Sequence, residues 1–169
     1  MTGHNIAAVE GQPFFTTIAG LSVSLAGFGA VIAWLRDDPT GWDPVNLWRV
    51  RTIVRHALTL AFFGLSLIPI YTFTQDDLTT VRFGSVWLAV FVVSDLWRAR
   101  DRDPAVWVPP ESWTVYVVAS GAIGVAAVVN AFLGNLAWLQ VVTLVLLTSP
   151  AGIFLNFVKE IGRNKPTSA

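Results

Sequence analysis

Residues Phe14–Leu35 read FFTTIAGLSVSLAGFGAVIAWL, a run of 22 residues without Asp, Glu, Lys or Arg. A helix rises about 1.5 Å per residue, so this run covers the roughly 30 Å hydrocarbon core of a bilayer. Four more stretches of similar length and character follow: Val50–Phe73, Leu78–Trp97, Trp113–Leu133 and Leu136–Val158. The rest of the 169 residues is too little material to hide five such segments from water. The sequence therefore predicts an all-α integral membrane bundle of five transmembrane helices, with residues 1–169 forming one domain.

Composition supports that reading. Hydrophobic residues make up 54% of the chain and charged residues 13%, against about 25% charged in soluble domains. Eleven basic residues balance eleven acidic ones, which gives no electrostatic case for nucleic acid or for a polybasic lipid-binding surface. Cysteine is absent, which excludes disulfides, thiolate metal sites, thiol redox chemistry and palmitoylation. Nine of the eleven basic residues are Arg, and Ala and Val are abundant; this composition fits a bacterium with a GC-rich genome. Met1–Gln12 carries no Lys or Arg, so the first apolar run lacks the basic flank of a signal peptide.

Positive charge sets the expected orientation, because Lys and Arg accumulate in short cytoplasmic loops. With the N-terminus outside, Arg36, Arg49, Arg51 and Arg55, then Arg98, Arg100 and Arg102, then Lys159, Arg163 and Lys165 fall on the cytoplasmic side. Only Arg82 falls outside. The reading is N-out and C-in, in a bacterial cytoplasmic membrane. Tryptophan agrees: Trp34, Trp42, Trp48, Trp97, Trp107 and Trp113 lie near the inner boundary, with Trp87 and Trp138 towards the outer one. Such amphipathic rings suit the headgroup level.

Local signals mark the helix ends. Asp43-Pro44 and Pro13 are starts, with Pro fitting the first turn. Thr74, Asp76 and Asp77 open span three, where acidic groups meet the positive end of the helix dipole. Pro109–Ser112 opens span four, and Gly134-Asn135 folds spans four and five into a hairpin. Small residues crowd span one (Gly20, Gly27 and Gly29 among them) and span four (Gly121 and Gly124 among them). Small residues let helices approach closely in lipid. Spans one and four are therefore predicted to be the tightly packed ones, meeting each other, a second copy or a membrane partner. Spans two, three and five, with larger apolar residues, are predicted to face lipid more.

Polar groups inside a membrane are the default functional candidates, because charge is costly there. Arg55, His56, Asp95 and Asn156 fall at one depth towards the cytoplasmic side. Arg55 and Asp95 are candidates for an ion pair between spans two and three; the alternative is that Arg55 snorkels to the headgroups and Asp95 joins Arg98. His56 titrates in the physiological range when unperturbed, which fits a relay as well as a structural role. Asn130 and Gln140 form a candidate outer polar pair. Pro69 and Pro150 each remove a helix hydrogen bond, and Ser149, Pro150 and Gly152 make a candidate helix break.

Several chemistries lack their residues. There is no phosphate-binding Gly-rich loop with Lys. Two histidines, His4 and His56, are too few for a bis-histidine haem or a histidine-rich zinc site in the bundle. Both lysines lie in the C-terminal tail, so no retinal linkage forms within the membrane. No cofactor is expected. Three function classes remain. The first is a homo-oligomeric channel or transporter for an ion or small solute, with water passing Asn130, Gln140 or Arg55. The second is an accessory or scaffold subunit, with those groups dry and an exposed small-residue face. The third is a lipid-modifying enzyme, with a headgroup-level pocket holding Asp95, His56 or Asp101.

Overall fold

A computed structural model describes residues 11–35, 44–99 and 111–163. They form five helices: α1 (Gln12–Leu35), α2 (Pro44–Thr74), α3 (Asp77–Ala99), α4 (Glu111–Leu133) and α5 (Leu136–Arg163). All five are long and apolar enough to cross a membrane. Residues 1–10, 36–43, 100–110 and 164–169, with Asp43, Asp101 and Pro109-Pro110 among them, lie outside the described residues.

The turns follow from local chemistry. Asp76 caps α3: its carboxylate accepts from the backbone N–H of Leu78 at 3.3 Å and of Thr79 at 3.0 Å. The Thr79 hydroxyl also donates to it. These bonds, the Thr79 hydroxyl's first, hold the Asp76 carboxyl below its ordinary value. Asn135 caps α5 by accepting from the Trp138 N–H at 3.1 Å. Gly134 takes φ +66°, a left-handed conformation that favours glycine. Its N–H closes on the Asn130 carbonyl at 2.7 Å.

α1 packs most extensively on α2, and α4 on α3, as two antiparallel hairpins. α5 touches all four other helices and joins the pairs. The core is built on Phe15, Leu60, Phe63, Leu67, Leu88 and Leu139. Phe15 meets Phe63 edge to face at 6.0 Å, and Phe63 meets Trp87 at 6.2 Å. Outside this core, Leu21, Phe28, Phe62, Val90, Val125, Phe132 and Leu155 are exposed on all sides. A water-soluble monomer does not present so much continuous apolar surface; acyl chains are its natural solvent.

Two packing expectations are corrected. Within the chain, α1 and α4 share no contact among the described residues. Burial runs from 44% for α2 and 39% for α3 through 33% for α1 to 22% for α5 and 17% for α4, so α2 and α3 face lipid less than expected while α5 is largely exposed, as expected. The physical reason is where the small residues point. A methyl group built on Gly20, Gly27 or Gly121 meets open space. Close approach occurs elsewhere: a methyl on Gly64 of α2 would lie 2.7 Å from the Phe15 carbonyl oxygen of α1. Gly124 of α4 faces Val92 of α3.

The break expected at Ser149, Pro150 and Gly152 is also corrected, because α5 runs through it as one helix. Pro150 cannot donate to the Leu146 carbonyl. One residue earlier, the Thr148 hydroxyl bonds the Val145 carbonyl at 2.6 Å, a local bond of the kind that keeps such helices intact. α2 likewise continues past Pro69.

Candidate functional site

On α3 the buried positions Val81, Ser85, Leu88, Val92, Asp95 and Ala99 recur every three or four residues. They form one face of a helix. Asp95 is the carboxylate in that stripe, so folding α3 onto the bundle carries a charge inside. It is 5% exposed. A carboxylate in that position needs donors, and three converge on it. From α2, the Arg55 guanidinium bonds Oδ1, and His56 Nε2 lies 3.2 Å from Oδ2. From α4, the Tyr116 hydroxyl also donates to Oδ2. Arg55 and His56 lie about three turns into α2, Tyr116 in the second turn of α4 and Asp95 about one turn from the end of α3.

His56 is 5% exposed, with the Phe91 ring edge-to-face at 5.4 Å. His56 Nδ1 is buried and has no hydrogen-bond partner, and the same holds for Arg55 Nε. The Asp95–His56 contact opens onto a cavity of about 180 Å³ between α2, α3, α4 and α5. Its polar lining is His56, Asp95, Tyr116, Ser120, Thr148 and Ser149; its apolar walls include Leu60, Phe91, Ile123 and Leu146.

The structure thus brings together Arg55, His56 and Asp95. Asn156 is exposed and takes no part, a correction to the four-residue cluster. Asn130 and Gln140 share no hydrogen bond either. Asn130, 1% exposed, donates to Ser85 Oγ at 2.8 Å and accepts from the Asn135 N–H at 3.1 Å. Gln140 lies beside Gly11 at the start of α1. Of the candidate break, Ser149 lines the cavity, next to the buried Pro150. Tyr116 is a site residue that the sequence does not single out, since an aromatic near a helix start looks like an interfacial anchor. The signal that finds it is Ser120 one turn later, which gives α4 a polar pair on one face. Compared with known proteins, the chain matches no family model, no curated protein and no solved structure.

Proposed function

We propose that this is a multi-pass protein of a bacterial cytoplasmic membrane, N-out and C-in, acting as a homo-oligomeric channel or transporter for an ion or small solute. The observation that carries the reading is the cavity on the Asp95–His56 contact, a largely apolar space into which a few polar groups are set, inside a bundle whose outer faces are apolar. Buried ionisable groups beside a cavity are what solute and proton paths need in a membrane. Asn130 is dry and bonded to Ser85, so the path runs through the cavity and not past Asn130. Self-association is supported by the open faces at Gly20, Gly27 and Gly121. The excess of Lys and Arg in the segments flanking the cluster supports its cytoplasmic placement.

The same open small-residue faces, with the dryness of Asn130, favour a second reading as an accessory subunit. A lipid-modifying enzyme is the weaker alternative. Ser120 and Ser149 share the cavity with His56, but Nδ1 has no hydrogen-bond partner, so the nucleophile–base contact of a hydrolase is not made.

The test is a flux measurement on purified protein in liposomes, with a pH-sensitive dye for protons, ion-selective readouts for potassium and chloride, and light scattering for neutral solutes. The reading expects permeation of at least one class above empty vesicles, reduced at least tenfold by Ser120→Leu, which fills the cavity. Permeation equal to that of empty vesicles for every class would overturn it.

A further inference from the structure

We infer that a groove on the outer face of the bundle, between α3 and α4, holds an acyl chain of an anionic phospholipid whose phosphate is bound at Arg98. Lipid binding there is independent of whether the Asp95–His56 cavity conducts.

The groove measures about 770 Å³, and its origin is local. Ala89, Ser94 and Ala131 are its small residues, and Val90, Val93 and Phe132 stand beside them, each more than half exposed. In a bilayer such a trough does not stay empty, because a void forfeits dispersion contacts along its whole lining. Along α3 the lining runs from Val86 to Arg98, roughly 18 Å at about 1.5 Å per residue. Half of a hydrocarbon core of about 30 Å is roughly 15 Å. The groove therefore matches the depth of one leaflet and not a full crossing.

Its two ends differ in chemistry. The deep end, at Val86 and Phe132, is apolar. The other end carries Trp97 and Arg98, both exposed, in the last turn of α3, where the span finishes. Asp95, the carboxylate one turn before Arg98, is taken up by Arg55, His56 and Tyr116. Among the described residues Arg98 forms no salt bridge. A guanidinium binds phosphate through two parallel N–H groups, and the Trp97 indole N–H is a further donor at the same level. A zwitterionic lipid brings its own cation to the phosphate, in competition with Arg98; an anionic lipid brings none. Basic pockets between membrane helices on the cytoplasmic side bind acidic headgroups, and the N-out orientation proposed above puts Arg98 on that side.

A second copy of the chain fits the groove less well. Helices associate in lipid through small residues that let backbones approach, whereas the ridges here are Val, Trp and Phe and the trough covers about one leaflet. The open glycines of α1, Gly20 and Gly27, lie elsewhere.

The experiment is native mass spectrometry of the full-length protein, released from detergent with added phosphatidylglycerol or phosphatidylcholine of identical acyl chains. It counts bound lipid and reports the oligomeric state. The expected result is one retained lipid per chain, with phosphatidylglycerol preferred about fivefold, equivalent to the roughly 1 kcal/mol that a basic residue gains beside anionic lipid. Arg98→Gln removes the preference. Val90→Trp, which fills the groove, lowers retention of both lipids. Arg51→Gln, which removes an exposed charge of α2 away from the groove, leaves both unchanged. Equal retention of the two lipids by the native chain would overturn the headgroup assignment. A loss of preference in Arg51→Gln as large as in Arg98→Gln would mean diffuse attraction and overturn the site at Arg98. No retained lipid of either kind would overturn lipid binding altogether. Oligomers that Val90→Trp splits into protomers, with lipid retention unchanged, would give the groove to a second copy and refute the lipid.

Discussion

A carboxylate moved out of water loses hydration worth several kcal/mol unless donors replace it. At Asp95 the replacement comes from three residues on two other helices, so their effects are coupled. Removing one partner of a buried pair costs about 3–5 kcal/mol in soluble proteins. The Arg55 side chain is 33% exposed, so its loss is expected to cost less than the full figure. In unfolding measurements, Asp95→Asn and Arg55→Gln are expected to be non-additive by about 0.5–3 kcal/mol. Strict additivity would show that they act independently. At Asn130, replacement by Leu removes the donor to Ser85 Oγ and leaves the Asn135 N–H without its acceptor; a loss of about 1–3 kcal/mol is expected in the same assay. The Arg55–Asp95 pair was legible in sequence because two charges at matching depth have few other ways to be satisfied. Tyr116 was not, because its apolar body and polar tip serve an interface equally well. The Asn130 partnership was hidden because Ser85 is an ordinary helix residue until α3 and α4 are laid side by side.

The number and extent of the helices came directly from apolar length, since each span must cover the same thickness of lipid. Which helices pack tightest did not. Density of small residues measures how close a helix is able to approach, while the direction of each face depends on all five helices together. Gly64 illustrates this: it is one small residue in a bulky span, yet the Phe15 carbonyl oxygen sits against it. Gly64→Ala is expected to lower stability by about 1–3 kcal/mol through overpacking. Gly27→Leu and Gly121→Leu, which point into open space, are expected to change the monomer's stability far less. Thermal melts of the three variants in one detergent check the ordering. α3 gives a pH-dependent counterpart. The Asp76 carboxyl titrates below its ordinary value of 3.8 in the folded chain, so its contribution is complete above the unfolded pKa. That contribution disappears as pH falls through the folded pKa. The difference in Tm between the native chain and Asp76→Ala is therefore expected to be constant near neutrality and to shrink below about pH 4. A difference unchanged down to pH 2 would mean that the cap does not act through the charged carboxylate.

At the scale of the molecule, the bundle separates two polar regions: a sealed one at Asn130 and a cavity at Asp95 and His56. Orientation rests on the distribution of Lys and Arg. Reporter fusions are expected to place the C-terminus, but not the N-terminus, in the cytoplasm. The chain has no cysteine, so single cysteines report their own surroundings without background. The most direct test of the account is cysteine labelling in native membranes, with a small, charged, membrane-impermeant thiol reagent supplied from the cytoplasmic side. Ser120→Cys and Ser149→Cys, on the cavity wall, are expected to react, while Ser85→Cys, buried beside Asn130, stays unmodified. If the two cavity positions are inert, or Ser85→Cys reacts as fast as they do, the cavity is not the water-connected working site and the account is contradicted.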